Sequence, residues 1–461
     1  MLGKLTIERI LGLAIDLGGD FAEVFCEDSY YTNVLALQEG VETSSLGREA
    51  GIGIRIFNGL NSLYGYSTNT SSQEHLLEMV RAMTALLNRS VTQRVPLAHS
   101  VNYGGAHCIG ERPTRVPLAS KMEKVQSALT AAKSYSQEIA QVSVRYIDME
   151  QAVQIANSEG LFAEDARIKT RMHITAFAQN EHGMQTGYFG PGAMRGFEFY
   201  DHLDIEWYAR ESARIATTML HAGKCPGGQM PVIIDNGFGG LLFHEACGHS
   251  LEATSVAKGT SEFSGRLGEK IASPLVTLVD DGSLANEWGS LAIDDEGTPA
   301  QKNVLIEKGL LRGYLVDKLN ARRMGVEPTG SARRKNYRFA PVARMTNTYI
   351  ANGTSTKEEI IANTERGLFV KYINGGSVNP TTGDFNFSAA ESYLIENGKI
   401  AAPVKGVTLI GRGGDILQQV DMVANNLEIR QGYCFASSGP LYIGAGQPTV
   451  RVANMTVGGT R

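Results

Sequence analysis

No apolar run in the 461 residues approaches the roughly 18 positions that a membrane-spanning helix requires, so no helical membrane span is expected. Cysteine is scarce. Cys26, Cys108, Cys225, Cys247 and Cys434 stand singly, an odd number without the spacing of a disulfide framework, and a reducing compartment is expected. Positive charge is not in surplus either. With 43 Lys and Arg against 48 Asp and Glu the net charge is −5, which argues against general attraction to nucleic acid or to an acidic membrane. A P-loop, a Gly-x-Ser-x-Gly elbow and an internal repeat of fixed period are all missing. Glu8, Arg9 and Asp16 interrupt the opening segment where a secretory signal needs an unbroken apolar stretch, so a cytoplasmic protein is expected. Glycine, by contrast, is abundant: 52 of 461 residues, where roughly 7 % is usual. Without a Gly-X-Y period, that excess points to turns, bulges and close backbone approaches in a sheet-rich architecture.

The length allows about three domains. Leu5, Ile7, Ile10, Leu11 and Leu13 follow a 3.6-residue period over 4–17, and Gly18-Gly19 ends it, predicting an opening helix. The runs FAEVFCED, YYTNVLAL, GIGIRIF and SLYGYST then predict four strands, and a helix follows at 73–87. Pro96, Gly104-Gly105 and Pro113 mark residues 90–115 as a linker. Beyond it the pattern predicts a helix over 119–139, strands at 141–149, 151–157 and 167–179, and a helix over 203–221. Lys224-Cys225-Pro226-Gly227-Gly228 breaks the pattern again. The expected domains are 1–90, 91–224 and 225–461. The expected fold class is α+β and multi-domain: an N-terminal α/β meander unit, a middle α+β unit and a large glycine-rich, sheet-dominated C-terminal domain carrying a metal-site helix.

The chemistry concentrates after the short strand MPVIID. There NGFGGLLFHEACGHSLEA offers Asp235 or Asn236 as a helix cap, followed by His244, Glu245 and His249. In the His-Glu-x-x-His pattern of zinc peptidases, i and i+4 histidines share a helical face and the Glu is the general base. Here the interval is one residue longer, which turns the second histidine roughly 140° away on a regular α-helix. Either a π-bulge absorbs the extra residue, or the helix breaks before His249, with Gly248 at the break. Catalytic zinc commonly has three protein ligands and an open position. The third ligand would come from Cys247, Glu252 or Cys434. The bland alternative is a partly buried helix with incidental polar groups.

The remaining C-terminal segments carry a resemblance. HEACGHSLEA, GRLGEKIASPLVTLVDDG (265–282), AIDDEGTPAQKNVLIEKG (292–309), TGSARR (329–334), RMTNTYI (344–350), ENGKIAAPVKGVTLIG (396–411) and GAGQPTVRVANMTVGGT (444–460) resemble the TldD-like, catalytic branch of the TldD/PmbA family, metallopeptidases also called modulators of DNA gyrase. GDFAEVF and GIGIRIF fit it in the first domain. His-Glu-x-x-x-His is that family's own pattern. The resemblance implies His244, His249 and Cys434 as metal ligands and Glu245 as catalytic base. Where the branch follows its cysteine with Gly-Lys, this chain reads Cys-Phe-Ala-Ser-Ser-Gly, with the register to Gly444 unchanged. One zinc ion per active chain would lower the pKa of water to about 7 and polarise the scissile carbonyl. The resemblance further implies peptide or unfolded-protein substrates, and an enclosed site formed with a PmbA/TldE-like paralogue as a heterodimer, or else in a homodimer. No nucleic-acid or membrane partner is expected.

Two other classes compete with this expectation. A binding or regulatory protein with a structural metal would close the ion with four protein ligands. Thiol chemistry at Cys434 would need a basic neighbour and a free thiolate. The clusters Asp280-Asp281 and Asp294-Asp295-Glu296 read as turn-forming carboxylates rather than acid/base pairs or a second metal site. Arg322-Arg323 and Arg333-Arg334-Lys335 read as a solvated or salt-bridged surface rather than an anion or nucleic-acid patch, with contacts to a peptide carboxylate as a third possibility. Gly411-Arg412-Gly413-Gly414 lacks the βαβ context of a nucleotide loop.

Overall fold

The opening helix forms over Lys4–Asp16, burying Ile7, Ile10, Leu11 and Ala14 and leaving Leu5 exposed. The computed structural model describes residues 1–459 apart from 39, 86, 88–94, 104–106, 182 and 380–381. The boundary expected near residue 90 lies outside the described residues. Three strands, not four, follow the helix: Phe21–Leu37, Gly40–Asn58 and Asn61–Ser67. FAEVFCED and YYTNVLAL are one strand, because neighbours on both sides pair it continuously through Asp28 and Ser29. For the same reason the strands expected at 141–149 and 151–157 are one, Ile139–Asn157, flanked by Phe21–Leu37 and Leu161–Asn180. The helix expected over 119–139 ends at Lys133, and its last expected residue, Ile139, opens that strand.

These strands form an eight-stranded sheet that draws on both sides of residue 90. Side chains alternate across it, as strand geometry requires. Val24, Ile52 and Ile54 pack with Ile7, Leu11, Leu76 and Val80 of the helices Lys4–Asp16 and Gln73–Thr84. Phe25 and Ile155, on the other face, pack with Ile293 and Tyr337 of the C-terminal part. The helices Leu118–Lys133 and Ile205–Leu220 cover Val144, Met172 and Ile174.

Among the described residues two further large sheets and a two-stranded one, Ala332–Arg333 with Val342–Ala343, make up the C-terminal part. In the second, strands Arg366–Val378, Gly228–Ile234, Val450–Gly458, Thr408–Arg412 and Asp384–Glu396 pair in that order, and the first also pairs with the last, which closes a ring. The third is six-stranded and ends in the hairpin Gly439–Gln447 and Glu428–Ala436. The class is α+β, as expected. Among the described residues no helix is long and apolar enough to cross a membrane.

The charged motifs bind these parts together. Arg55 pairs with Glu23 and Glu296, Arg334 reaches Glu23 at 2.9 Å, and Arg167 reaches Asp295 at 2.6 Å, all buried. Arg322 reaches Asp20 at 2.5 Å across the same seam. Asp281 and Asp294 turn their own loops, accepting from the N–H groups of Ser283 and Thr298 at 2.9 Å. Asp280 instead accepts from the hydroxyls of Thr346 and Thr348, each at 2.8 Å.

Candidate metal centre

The strand Gly228–Ile234 delivers the chain into the site. From Phe238 to Leu251 the backbone is helical but changes pitch: a 3-10 turn, one short α-helical segment, a π turn over His244–Gly248 and a 3-10 turn over His249–Leu251. The expected cap is not made. Partners from neighbouring segments take both side chains: Asp235 accepts from Thr449 Oγ1 at 2.8 Å and pairs with Lys357, while Asn236 donates to the Asn426 carbonyl at 2.9 Å.

The π turn absorbs the extra residue of the motif. The His249 N–H bonds to the His244 carbonyl, so one turn separates the two histidines. Their ring centres lie 5.3 Å apart, nearly perpendicular at 86°. Gly248 does not break the helix; its φ of −57° and ψ of −49° are helical. It is small because Met345 is close, with Sδ 2.2 Å from where a Cβ would stand. Gly248→Ala should therefore cost about 1–3 kcal/mol of stability through overpacking, read as an earlier denaturant midpoint. An unchanged midpoint would show that Met345 yields freely. Gly413 makes a similar approach on another side, where a Cβ would lie 1.8 Å from the Ala246 carbonyl oxygen. That approach accounts for one glycine of the Gly-Arg-Gly-Gly run.

Cys434 arrives from the third sheet, on strand Glu428–Ala436 opposite Leu441. Its Sγ lies 3.0 Å from His249 Nε2. One donor atom from each of His244, Glu245, His249 and Cys434 falls within 4.8 Å of the others. Of the other two candidate ligands, Cys247 is turned away, its thiol donating to the Phe243 carbonyl at 2.8 Å. Glu252 stands behind His249, with Oε2 3.1 Å from Nδ1, which orients the ring toward Cys434. Its i+3 spacing from His249 was the signal for this role. Arg344 has no such signal in the sequence. Buried, it donates to the carbonyls of Cys434 at 2.9 Å and Gly439 at 3.1 Å, and its Nε lies 3.9 Å from Glu252 Oε1. It ties the cysteine hairpin to the histidine segment.

Electrostatics separate the two imidazoles. Burial holds His244 well below the ordinary histidine range, and the neighbouring His249 adds to this, so His244 is neutral. Among the described residues neither of its buried ring nitrogens has a hydrogen-bond partner. Burial lowers His249 too, but Glu252 and Cys434 outweigh it and raise it well above the ordinary value. Protons therefore compete with a metal for its Nε2. Burial raises the Glu245 carboxyl, and Glu252 adds to the effect. Glu245 is the member of the group that borders a cleft of about 720 Å³, whose walls include Phe189, Trp207, Tyr372, Tyr433 and Phe435.

Comparison with known proteins identifies the family. Residues 22–87, 111–220 and 227–459 match, in turn, domain 1, the central domain and the C-terminal domain of the PmbA/TldA metallopeptidases. A protein of Haemophilus influenzae named Metalloprotease TldD homolog is 35 % identical, over 100 % of this chain and 97 % of its own length. Its namesake in Buchnera aphidicola from Acyrthosiphon pisum is 33 % identical, over 99 % and 95 %. Among solved structures, a candidate modulator of a DNA gyrase from Thermotoga maritima superposes with a TM-score of 0.78 at 21 % identity, covering 99 % of this chain and 100 % of that one. TldE from Thermococcus kodakarensis gives 0.76 at 20 %, covering 98 % and 99 %. At those identities the two structures speak for the fold alone. With all three domain profiles and full-length relatives in register, the chain belongs to the PmbA/TldA metallopeptidase family, on its TldD-like branch.

Proposed function

We propose that the chain is a zinc-dependent peptidase that hydrolyses flexible peptides or unfolded segments, with His244, His249 and Cys434 holding one zinc ion and Glu245 as general base. The observation that carries this reading is His244, fully buried, with both ring nitrogens unpartnered among the described residues and a donor atom within 4.8 Å of those of Glu245, His249 and Cys434. Buried polar atoms without partners are rare, and a cation would satisfy one of these. Two imidazoles and a thiolate suit zinc rather than magnesium or calcium, which prefer oxygen. The contacts Cys434 to His249 to Glu252 also outline a thiol triad. That reading leaves His244 without a role, and Cys434 is only 2 % exposed.

Zinc bound there supplies a Lewis acid that acidifies water and polarises a carbonyl. The chain's own residues do the rest. Glu245, on the cleft wall, takes the proton of the attacking water and passes it to the leaving amine. Burial raises its pKa, which suits a base that must also serve as an acid. Glu252 holds the His249 ring, and Arg344 holds the hairpin bearing Cys434.

Metal analysis tests the assignment. Purified chain should hold one zinc, His249→Ala should hold none, and Glu252→Gln should bind about 10–100-fold more weakly. Full zinc in His249→Ala would overturn it. An ion fully enclosed by protein ligands, with no exchangeable water, would instead mark a structural metal.

Membership of the TldD-like branch points to a heterodimer with a PmbA/TldE-like paralogue; a homodimer is the alternative. We take the working division as 1–90, 91–224 and 225–461, and the location as cytoplasmic. An enclosed cleft would admit extended chain by backbone pairing and refuse folded proteins. A destabilised mutant domain should thus be digested while its folded parent survives, and equal cleavage of the two would refute enclosure.

A further inference from the structure

A second cavity of about 420 Å³ lies between the first sheet and the C-terminal part. Two buried cations on its wall have no carboxylate within ion-pair distance among the described residues. Lys169 is 4 % exposed; its Nζ donates to the Trp288 carbonyl at 2.6 Å and lies 5.0 Å from the ring centre of Tyr442. Arg333 is 5 % exposed and donates to the carbonyls of Met345 at 2.6 Å and Tyr442 at 2.7 Å. Those carbonyls satisfy hydrogen bonds but not charge. Among the described residues neither cation has a carboxylate within 4.0 Å.

The acids on the same wall are already engaged. Asp295 accepts from Arg167 and from the Arg334 N–H, both at 2.6 Å. Asp148 pairs with Lys121 at 2.6 Å. Glu27 accepts from Ser29, Gln151 and the Tyr337 N–H. Burial, with Arg333 and Arg167 nearby, pushes Lys169 well below the ordinary lysine range, and the more distant Asp165 and Asp295 offset only part of this.

A single carboxylate matches this wall. It accepts from an ammonium and a guanidinium together, and carries less charge to set against the acids nearby than a phosphate dianion would. Trp288, Tyr433, Tyr442 and Leu441 supply an apolar surface for whatever adjoins it, and the volume is within the range of small-ligand sites. We propose that this cavity is a carboxylate-binding site anchored by Lys169 and Arg333, and that it takes the C-terminal end of a peptide. Tyr433 borders both this cavity and the cleft that holds Glu245, so a peptide end bound here lies across one side chain from that cleft. Identifying the carboxylate as a peptide end rests on the peptidase reading; the site itself does not.

The two tryptophans report separately, since Trp288 borders the cavity and Trp207 the cleft. A full-length Trp207→Phe chain carrying both Glu245→Gln and Cys434→Ser removes hydrolysis from the measurement under the zinc and the thiol reading alike. Titrated with N-acetyl-trialanine, its Trp288 emission should change, with the C-terminal amide of the same peptide binding at least about tenfold more weakly. Lys169→Met should weaken the acid by a similar factor, and Lys169→Arg should restore it. Acetate matching the peptide acid would keep the site and assign it to a small free carboxylate. Equal binding of acid and amide overturns the proposal, as does unchanged affinity in Lys169→Met. Should Lys169→Met not fold, the acid and amide comparison decides alone.

Discussion

Glu245→Gln should keep the zinc and the fold while hydrolysis of an unfolded peptide falls by about 10²–10⁴-fold, the usual loss for a general base. Glutamine has nearly the same shape and lacks only the basic oxygen. The distance from Glu245 Oε2 to His249 Nε2 is 3.6 Å, so the carboxylate stands beside the donor group as well as on the cleft wall. It is therefore placed to be either a ligand or a base, and the variant separates the two. Loss of zinc together with activity would make it a ligand. Near-wild-type turnover, measured with the paralogous subunit present, would remove it from the mechanism.

Cys434→Ser should weaken zinc binding by more than the roughly 10–100-fold typical of an outer partner such as Glu252, because a neutral hydroxyl replaces a thiolate bonded directly to the ion. Activity should fall with the metal. Cys247→Ala is the control: its thiol is committed to the Phe243 carbonyl, and zinc content should not change. The result that sinks the ligand assignment is metal content that follows Cys247 and ignores Cys434.

The donor group was legible in the sequence because most of it is local. Two histidines and a glutamate within six positions mark it, and the mismatch with α-helical pitch called for either a π turn or a break at Gly248, of which the π turn forms. The supports of the site were less legible. Asp235 looks like a cap to any reader of local pattern, yet Thr449 and Lys357, far away in sequence, claim its carboxylate. Arg344 is visible only once the hairpin carrying Cys434 is folded against it. Strand counts went wrong for a related reason: Ser29 reads as a break, but pairing on both flanks carries the strand through it. Local propensity is a weak prior where a sheet supplies partners on both sides.

His249 and Cys434 touch across 185 residues of intervening chain. The loop that joins them closes only when the last hairpin docks, and closing so long a loop costs entropy that no local interaction offsets beforehand. During folding, the imidazole pair is thus available before the thiolate is, and a nascent chain presents an incomplete coordination set. If the proposed ion is held there, its affinity and the stability of the docked hairpin are the same free energy viewed from two ends. Fraying of the C-terminal hairpin would then open the proposed coordination shell, and stripping the ion would loosen the hairpin.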